Sequence, residues 1–340
     1  MTATLGFLFC ALLILFSGSR LSRYGERIAE LTGWSRAWLG MVLMASVTSL
    51  PELFVGIGAA GFMGNADLAV GDVLGSCVFN LAILSLLDAL YKGTAVAKKQ
   101  AVLGQAAPSH VLAASLGIIL LALVGMGIHL PGSFMLGGWI GAFSIVFIAV
   151  YLLAIRILHS REQVGTVDPA TTPTDPASDG KPTMRQTLKW YAIHALVVIG
   201  AALALPHFAE EIAIASGLGA TFIGTLLLAA STSLPEVAVS VSALRMGSLD
   251  MAVGNLLGSN LFNIFILAMD DLVYPKGSLL DDASETHIVS VFSTIIMSAI
   301  VIVGLTFRGS RKRFVLAWDT LLILVVYIVN MILLYDLLTR

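Results

Sequence analysis

SVTSLPELFVG occupies residues 46–56 and ASTSLPEVAVS occupies residues 230–240. Each sets Thr-Ser-Leu-Pro-Glu in the middle of an apolar run. A carboxylate at the centre of a bilayer costs about 2.5–3.5 kcal/mol on insertion scales, so two of them demand compensation. The proline adds a second polar problem, because it has no N–H to donate. On an unbroken helix Pro51 would strip the Val47 carbonyl of its partner, and Pro235 would do the same to Ser231. In hydrocarbon such a carbonyl needs a substitute donor or a cation. The two stretches therefore predict bent or broken membrane helices that carry a polar site.

The rest of the chain supports the membrane setting. Of its 340 residues 58% are hydrophobic and 12% charged, with a mean hydropathy of +0.94. Soluble domains carry about 25% charged residues. The net charge of −2 gives no case for nucleic acid. Cys10 and Cys77 lie in apolar runs without ligand spacing and read as small packing residues. The first sixteen residues could be a signal peptide, but no Lys or Arg precedes the apolar run, which favours a first spanning helix.

Apolar runs long enough to span number ten: 2–19, 36–61, 67–91, 108–127, 133–157, 187–205, 218–244, 249–270, 286–306 and 314–337. With the N-terminus outside, all of the 19 Lys and Arg except Lys276 and Arg340 fall on the inner side, as the positive-inside rule requires. Both termini are then outside. The Pro-, Thr- and Asp-rich stretch HSREQVGTVDPATTPTDPASDGKPTMRQ, from His159, reads as a flexible cytoplasmic linker. It divides the chain into 1–158, the linker 159–186, and 187–340, with five spans on each side.

The two sides repeat. YGERIAELTGWSRAWLGMVLMASVTSLPE from Tyr24 aligns with FAEEIAIASGLGATFIGTLLLAASTSLPE from Phe208, and DLAVGDVLGSCVFNLAIL from Asp67 with DMAVGNLLGSNLFNIFIL from Asp250. The offset is 184 through the glutamate motifs and 183 from Asp67 onward, so one residue is lost between the two blocks. Five is odd, so the second copy enters the membrane from the opposite side. The expected fold is an all-α membrane protein of ten transmembrane helices in two inverted five-helix repeats, an arrangement typical of secondary transporters. Helices 2, 3, 7 and 8 hold the polar motifs and are expected to be broken.

Oxygen donors cluster in these motifs. Thr48 and Ser49 precede Glu52 by four and three residues, on one helical face, and Thr232 and Ser233 stand likewise to Glu236. Ser76 and Asn80 are four apart in the next span, and Ser259 and Asn263 repeat that spacing. Hydroxyls, amide oxygens and carboxylates suit Ca2+ or Na+ rather than soft metals. The two glutamates together balance one Ca2+, two Na+ or two protons, and competition for the same charge is a physical basis for exchange. The glycines of GDVLGS and GNLLGS permit close helix approach or a break. The blander reading, hydroxyls bonding back to carbonyls and proline merely kinking, would suit one copy but leaves two symmetric glutamates without a reason.

These motifs resemble the alpha-repeats of the calcium/cation antiporter superfamily, which includes the sodium/calcium exchangers; the likeness extends over the whole ten-span layout. The resemblance implies two five-helix halves, alternating access, and cation ligands at Thr48, Ser49, Glu52, Ser76 and Asn80 and at Thr232, Ser233, Glu236, Ser259 and Asn263. It adds the backbone carbonyls of Ala45 and Ala229 as sodium ligands. It implies transported Ca2+ and Na+ as bound ions, with H+ as the alternative, and no cofactor or enzymatic activity; the expected setting is the inner (plasma) membrane, with a monomer as the expected state. Three positions depart from the family pattern. Val47 and Ser231 stand where glycine is common, which bears on carbonyl ligation. Asp72 replaces an asparagine, making it a third acidic candidate unmatched by Asn255. Asn263 replaces the aspartate of the potassium-dependent branch, which argues against potassium coupling. TSLPE differs from the Gly-Asn-Ala-x-Glu of the proton-coupled branch and so favours sodium. The linker is too short for the calcium-binding domains of animal exchangers.

Other polar residues have plainer readings. Asp72 could cap a helix break or bond a neighbouring hydroxyl. Asp67 and Asp250 read as helix N-caps, and Glu26 and Glu210 as packing residues or part of an ion path. DDLVYPKGSLLDD from Asp270 reads as a solvated acidic loop, with electrostatic attraction of cations as the alternative. The six histidines show no ligand spacing. The sequence thus points to a Na+/Ca2+ antiporter, with an H+/Ca2+ (or other divalent cation) antiporter as the alternative. A passive cation channel is a weaker reading. An intramembrane aspartyl protease using Asp72 and Asp336 would leave the duplication unexplained.

Overall fold

The computed structural model describes residues 2–91, 101–130, 135–136, 140–165, 182–215, 231–307 and 315–339. These are almost entirely helical: α1 Thr2–Thr32, the composite α2 Arg36–Phe62, α3 Ala66–Leu90, the short α4 Val102–Gln105, α5 Ser109–His129, α6 Ala142–Gly165, α7 Met184–Ala215, α8 Leu234–Arg245, α9 Leu249–Val273, α10 His287–Thr306 and α11 Trp318–Thr339. A two-residue antiparallel pairing, Met135–Leu136 with Ile140–Gly141, precedes α6. Among the described residues nine helices are long and apolar enough to cross a membrane. At 1.5 Å per residue a 25-residue helix reaches about 37 Å, more than the hydrocarbon core of about 30 Å. The first part of the expected seventh span, 218–230, lies outside the described residues, as do 166–181 of the expected linker. Within that linker range, α6 runs on to Gly165 and α7 begins at Met184.

The helices differ in how deeply they sit. Of the most apolar stretch of α9, 94% is buried inside the protein, against 17% for α11. α9 is the central pillar, with α3 beside it. The outer faces of α1 and α11 expose Leu5, Phe9 and Leu12, and Ile328, Ile332 and Tyr335, a surface suited to lipid.

The helix breaks come from backbone chemistry. In α2, regular turns give way to a π-helical stretch over Leu39–Met44, return over Ala45–Thr48, stop at Ser49 and restart at Leu50. Ser49 leaves helical geometry, with φ −94° and ψ 5°, and Ser233 does the same, with φ −87° and ψ 8°. Pro51 and Pro235 therefore sit in the first turn of a new helix, where the missing N–H would have had no helical partner anyway. The Ser49 N–H still reaches the Ala45 carbonyl at 3.0 Å, and the Ser49 carbonyl accepts from Leu53 at 3.3 Å. The π stretch is pinned from outside: the buried Tyr191 hydroxyl donates to the Leu43 carbonyl at 3.1 Å.

The expected breaks in helices 3 and 8 are not found. α3 and α9 each run 25 residues without interruption. Their glycines, unlike proline, keep their N–H donors, and in α9 they serve close approach. A methyl group on Gly254 would lie 2.7 Å from the Ala37 carbonyl oxygen, and one on Gly258 would overlap the Met41 backbone. The expected capping roles also shift by two residues. Asn65 caps α3 by accepting from the Leu68 N–H at 3.0 Å. Asp67 lies inside the first turn and accepts from the Ser284 N–H at 2.7 Å. Asp250 lies inside the first turn of α9, beside His110 at 3.2 Å and accepting from the Ala107 N–H at 2.6 Å.

Asp270 and Asp271 are not loop residues. α9 continues to Val273, and both aspartates are buried. Asp271 accepts from the Leu279 N–H at 2.6 Å with Oδ1, and from the Gly141 N–H at 3.0 Å and the Ser144 hydroxyl at 2.6 Å with Oδ2. Asp88 on α3 does the corresponding work: Oδ1 accepts from the Val102 N–H at 2.9 Å, and Oδ2 from the Ala317 N–H at 2.8 Å and the Thr320 hydroxyl at 2.9 Å. Each aspartate thus caps the start of the last helix belonging to the other half of the sequence.

Candidate functional site

The two glutamates stand at the start of the helix segments that follow the breaks. Glu52 and Glu236 are both buried, each in the first turn after Ser49 or Ser233. Partial positive charge at a helix N-terminus favours a carboxylate there. Glu52 lies within the electrostatic field of both Glu236 and Asp72.

Hydroxyl groups tie the two carboxylates together across the halves. The Ser49 hydroxyl donates to Glu236 Oε1 at 3.1 Å. Ser233 donates to Ser76 at 3.4 Å, and Ser76 in turn donates to Glu52 Oε1 at 3.5 Å. Thr48 Oγ1 lies 3.4 Å from Ser259 Oγ and from Asn255 Oδ1, and 3.3 Å from the Ala45 carbonyl oxygen. The hydroxyls of Thr48 and Ser49 thus face groups of the other half, Asn255, Ser259 and Glu236, rather than bonding Glu52 of their own segment.

Beneath this ring lie the amides. Asn80 donates its Nδ2 to Asn260 Oδ1 at 3.1 Å, and Asn260 donates to the Cys77 carbonyl at 3.1 Å. Asn263 is buried beside the Cys77 thiol, and neither of its amide atoms makes a regular hydrogen bond. Four buried oxygens of these glutamates and amides are without a hydrogen-bond partner among the described residues: Glu52 Oε2, Glu236 Oε2, Asn80 Oδ1 and Asn263 Oδ1. Buried polar atoms are almost always paired, so four bare oxygens of this kind fit a hard cation, which takes six to eight oxygen ligands in the case of Ca2+. Among the described residues no three His, Cys, Asp or Glu side chains converge as a metal cluster. Neutral oxygens must therefore complete any coordination shell here.

The remaining candidates are placed as follows. Thr232 and Ser259 are buried with the rest of the ring. The Ala45 carbonyl already accepts from the Ser49 N–H and faces the Thr48 hydroxyl. Ala229 lies outside the described residues. Asp72 stands one turn from Ser76 on α3 and makes no hydrogen bond through Oδ2. Glu26 is a packing residue, held by Arg36 at 2.6 Å and by the Ser248 hydroxyl. Asp336 is exposed near the end of α11, unlike the buried aspartate a protease would need. Cys10 and Cys77 are free and buried.

Sequence reasoning missed Asn260 and Ser240. Asn260 orients Asn80, and Ser240 accepts from Asn255 Nδ2 at 3.0 Å. The repeat carried a signal for both: Asn260 aligns with Cys77, whose carbonyl it binds, and Ser240 aligns with Gly56, a polar residue against none.

Comparison with known proteins gives the family and the fold. A family model described as sodium/calcium exchanger protein matches residues 2–158 and 189–335. "Putative antiporter CaxA" of Alkalimonas amylolytica is 28% identical over 276 residues, covering 81% of this chain and 82% of the relative. "Inner membrane protein YrbG" of Escherichia coli K12 is 30% identical over 273 residues, covering 78% of each. "Sodium/calcium exchanger MaX1" of Methanosarcina acetivorans is 36% identical over 145 residues, covering 42% of this chain and 38% of that one. A solved structure of the sodium-calcium exchanger NCX_Mj superposes with a TM-score of 0.74 at 22% identity, covering 98% of both chains. The match spans both halves of the sequence and both glutamate motifs: this multi-pass membrane protein belongs to the sodium/calcium exchanger family.

Proposed function

We propose that the protein is a secondary antiporter that exchanges Na+ for Ca2+ by alternating access. Glu52 and Glu236 bind Ca2+ directly. The hydroxyls of Thr48, Ser49, Thr232, Ser233, Ser76 and Ser259, the amide oxygens of Asn80 and Asn263, and backbone carbonyls around Ala45 and Ala229 complete the shells of Ca2+ and Na+. The observation that carries this reading is the pair of buried glutamates with one bare oxygen each. They carry two negative charges between them, which one Ca2+ or two Na+ neutralise. One occupant must leave before the other binds. The names of the relatives, an antiporter and a sodium/calcium exchanger, support the same reading.

The transporter is arranged as ten spans in two inverted five-helix halves, 1–158 and 187–340. Both termini lie outside, and 159–186 lies in the cytoplasm of a cell bounded by the inner (plasma) membrane. The nine long helices together with Ser231–Arg245 support the count, and the matching breaks at Ser49 and Ser233 support the repeat.

Proton coupling is the second reading. It is favoured by one observation: no Lys or Arg hydrogen-bonds either glutamate among the described residues, so two protons could neutralise the pair as well as cations do. Calcium uptake into proteoliposomes separates the two. An outward Na+ gradient is expected to drive uptake, and a pH gradient alone is not. Uptake driven only by the pH gradient would replace sodium with protons as the coupling ion. In the same assay Glu52→Gln and Glu236→Gln are each expected to abolish exchange, at least about a hundredfold, while the purified variants remain monodisperse. The size follows from truncating a buried charge that a ligand requires.

A further inference from the structure

The two halves differ at one pair of equivalent positions, one helical turn beyond the glutamates. In the second half these are Ser240 and Asn255. Both are buried, and they close on each other through a hydrogen bond of 3.0 Å. In the first half the aligned residues are Gly56 and Asp72. The glycine leaves a space, and the Asp270 carboxylate fills it: a methyl group on Gly56 would lie 2.6 Å from Asp270 Oδ1 and 2.7 Å from its Cγ. A neutral, hydrogen-bonded plug on one side is thus replaced by two carboxylates on the other.

Those carboxylates lack partners. Asp270 is fully buried, and neither of its oxygens is hydrogen-bonded; Asp72 Oδ2 is bare as well. They lie within each other's electrostatic range, and Asp72 also reaches Glu52. Among the described residues, the basic groups near this end are engaged elsewhere: Lys276 gives its ammonium to the Gly64 carbonyl at 2.8 Å, and His287, packed on Gly71, lies 3.1 Å from Asp67 through Nε2. No hydrogen bond joins the two carboxylates, so they do not share a proton as a bonded pair. A fully buried, unpaired carboxylate with a second, part-exposed one in its field is expensive in a membrane unless a cation compensates the charge.

The location gives the pair a direction. Gly56 follows Glu52 by one turn and Asp72 precedes Ser76 by one turn, so both step towards the Met63–Asn65 connection between α2 and α3. Gly61 packs on Val273 and Gly64 on Lys276 at that same end. Asp72 is part-exposed and Asp270 fully buried. The pair therefore lies between the central site and the face that the Lys and Arg distribution assigns to the outside.

We propose that Asp72 and Asp270 form a second cation site, a carboxylate way station that holds Ca2+ between the outer face and the Glu52–Glu236 centre. One carboxylate seated against the Gly56 backbone, with a second within its electrostatic range, offers hard oxygen ligands, which suit weak, exchangeable binding of a divalent cation. The proposal rests on the reading that this chain carries cations, and its test is separate from that of the central site.

Equilibrium binding of radioactive Ca2+ to the full-length protein in detergent gives the first readout. With the central site removed by E52Q and E236Q, binding in the millimolar range is expected to remain, and to vanish when D72N and D270N are added. Absence of any binding to a monodisperse E52Q/E236Q protein would overturn the proposal, as would binding that survives the added substitutions. The second readout is transport by D72N/D270N in an otherwise natural chain. The KM for Ca2+ at the outer face is expected to rise about tenfold with kcat retained, the scale on which charges lining a cleft alter capture. An unchanged KM would overturn the assignment. So would an unchanged KM accompanied by an altered pH dependence, which would make the pair a proton carrier. Should the double variant fail to fold, Gly56→Ala displaces the Asp270 carboxylate sterically and is expected to raise the same KM.

Discussion

Ser49 connects the chemistry of the backbone to that of the site. Its φ and ψ end one helix segment, its carbonyl starts the next, and its hydroxyl reaches across to Glu236. Replacing it with alanine removes a hydrogen bond to a buried carboxylate, a contact of about 1.5–3 kcal/mol. Ser49→Ala is therefore expected to lower thermal stability by up to about that amount and, through loss of a proposed oxygen ligand, to weaken Ca2+ binding by about ten- to a hundredfold. Calcium titration of the purified variant checks it, and unchanged affinity would remove Ser49 from the site. The candidate residues were legible at this scale because oxygen donors in an apolar run have few other uses. Their partners were not. Helical spacing groups Ser49 with Glu52, but spacing within one segment says nothing of what packs against it, and the hydroxyl serves the opposite glutamate. Asn260 stayed hidden for a related reason: its role is to hold Asn80, and second-layer contacts leave no periodicity in a sequence.

Helices show a similar division between what a sequence states and what it leaves out. Span positions followed directly from apolar length, and breaks followed from proline. Glycine misled, because in a tightly packed membrane bundle it serves close approach as well as flexibility. α9 is the example: Gly254 and Gly258 admit the Ala37–Met41 backbone without disturbing its own hydrogen bonds. The acidic residues at the end of α9 were mistaken for loop residues because carboxylates favour water. Asp271 escapes that preference by accepting from three donors. Asp271→Ala is expected to strand those donors and to destabilise the protein by at least about 3 kcal/mol, at about 1–3 kcal/mol for each buried group left unpaired. Asp88→Ala should match it, since Asp88 also accepts from three donors. Thermal unfolding followed by size-exclusion fluorescence measures both. A loss confined to one of the two would show that the caps are not equivalent.

At the scale of the whole molecule, the two halves of the sequence share their essential contacts. The glutamate of one is bonded by the serine of the other, and Ser233 reaches Ser76 across the same boundary. These bonds do not depend on the peptide that joins α6 to α7. Residues 1–165 and 182–340, expressed together as separate chains, are expected to assemble and to keep measurable exchange. Co-purification through a tag on one fragment tests this, and failure to recover the other fragment would show that the covalent link is required.

The reciprocal capping by Asp88 and Asp271 has a consequence for biogenesis. The helix that completes the first half, α6, receives its cap from a residue made more than a hundred positions later. Until the ribosome has delivered α9, that helix enters the bilayer with its leading amides unsatisfied. Residues 1–165 made alone are therefore expected to be recognised as unfinished and degraded, and to be rescued when the fragment that carries Asp271 is made with them.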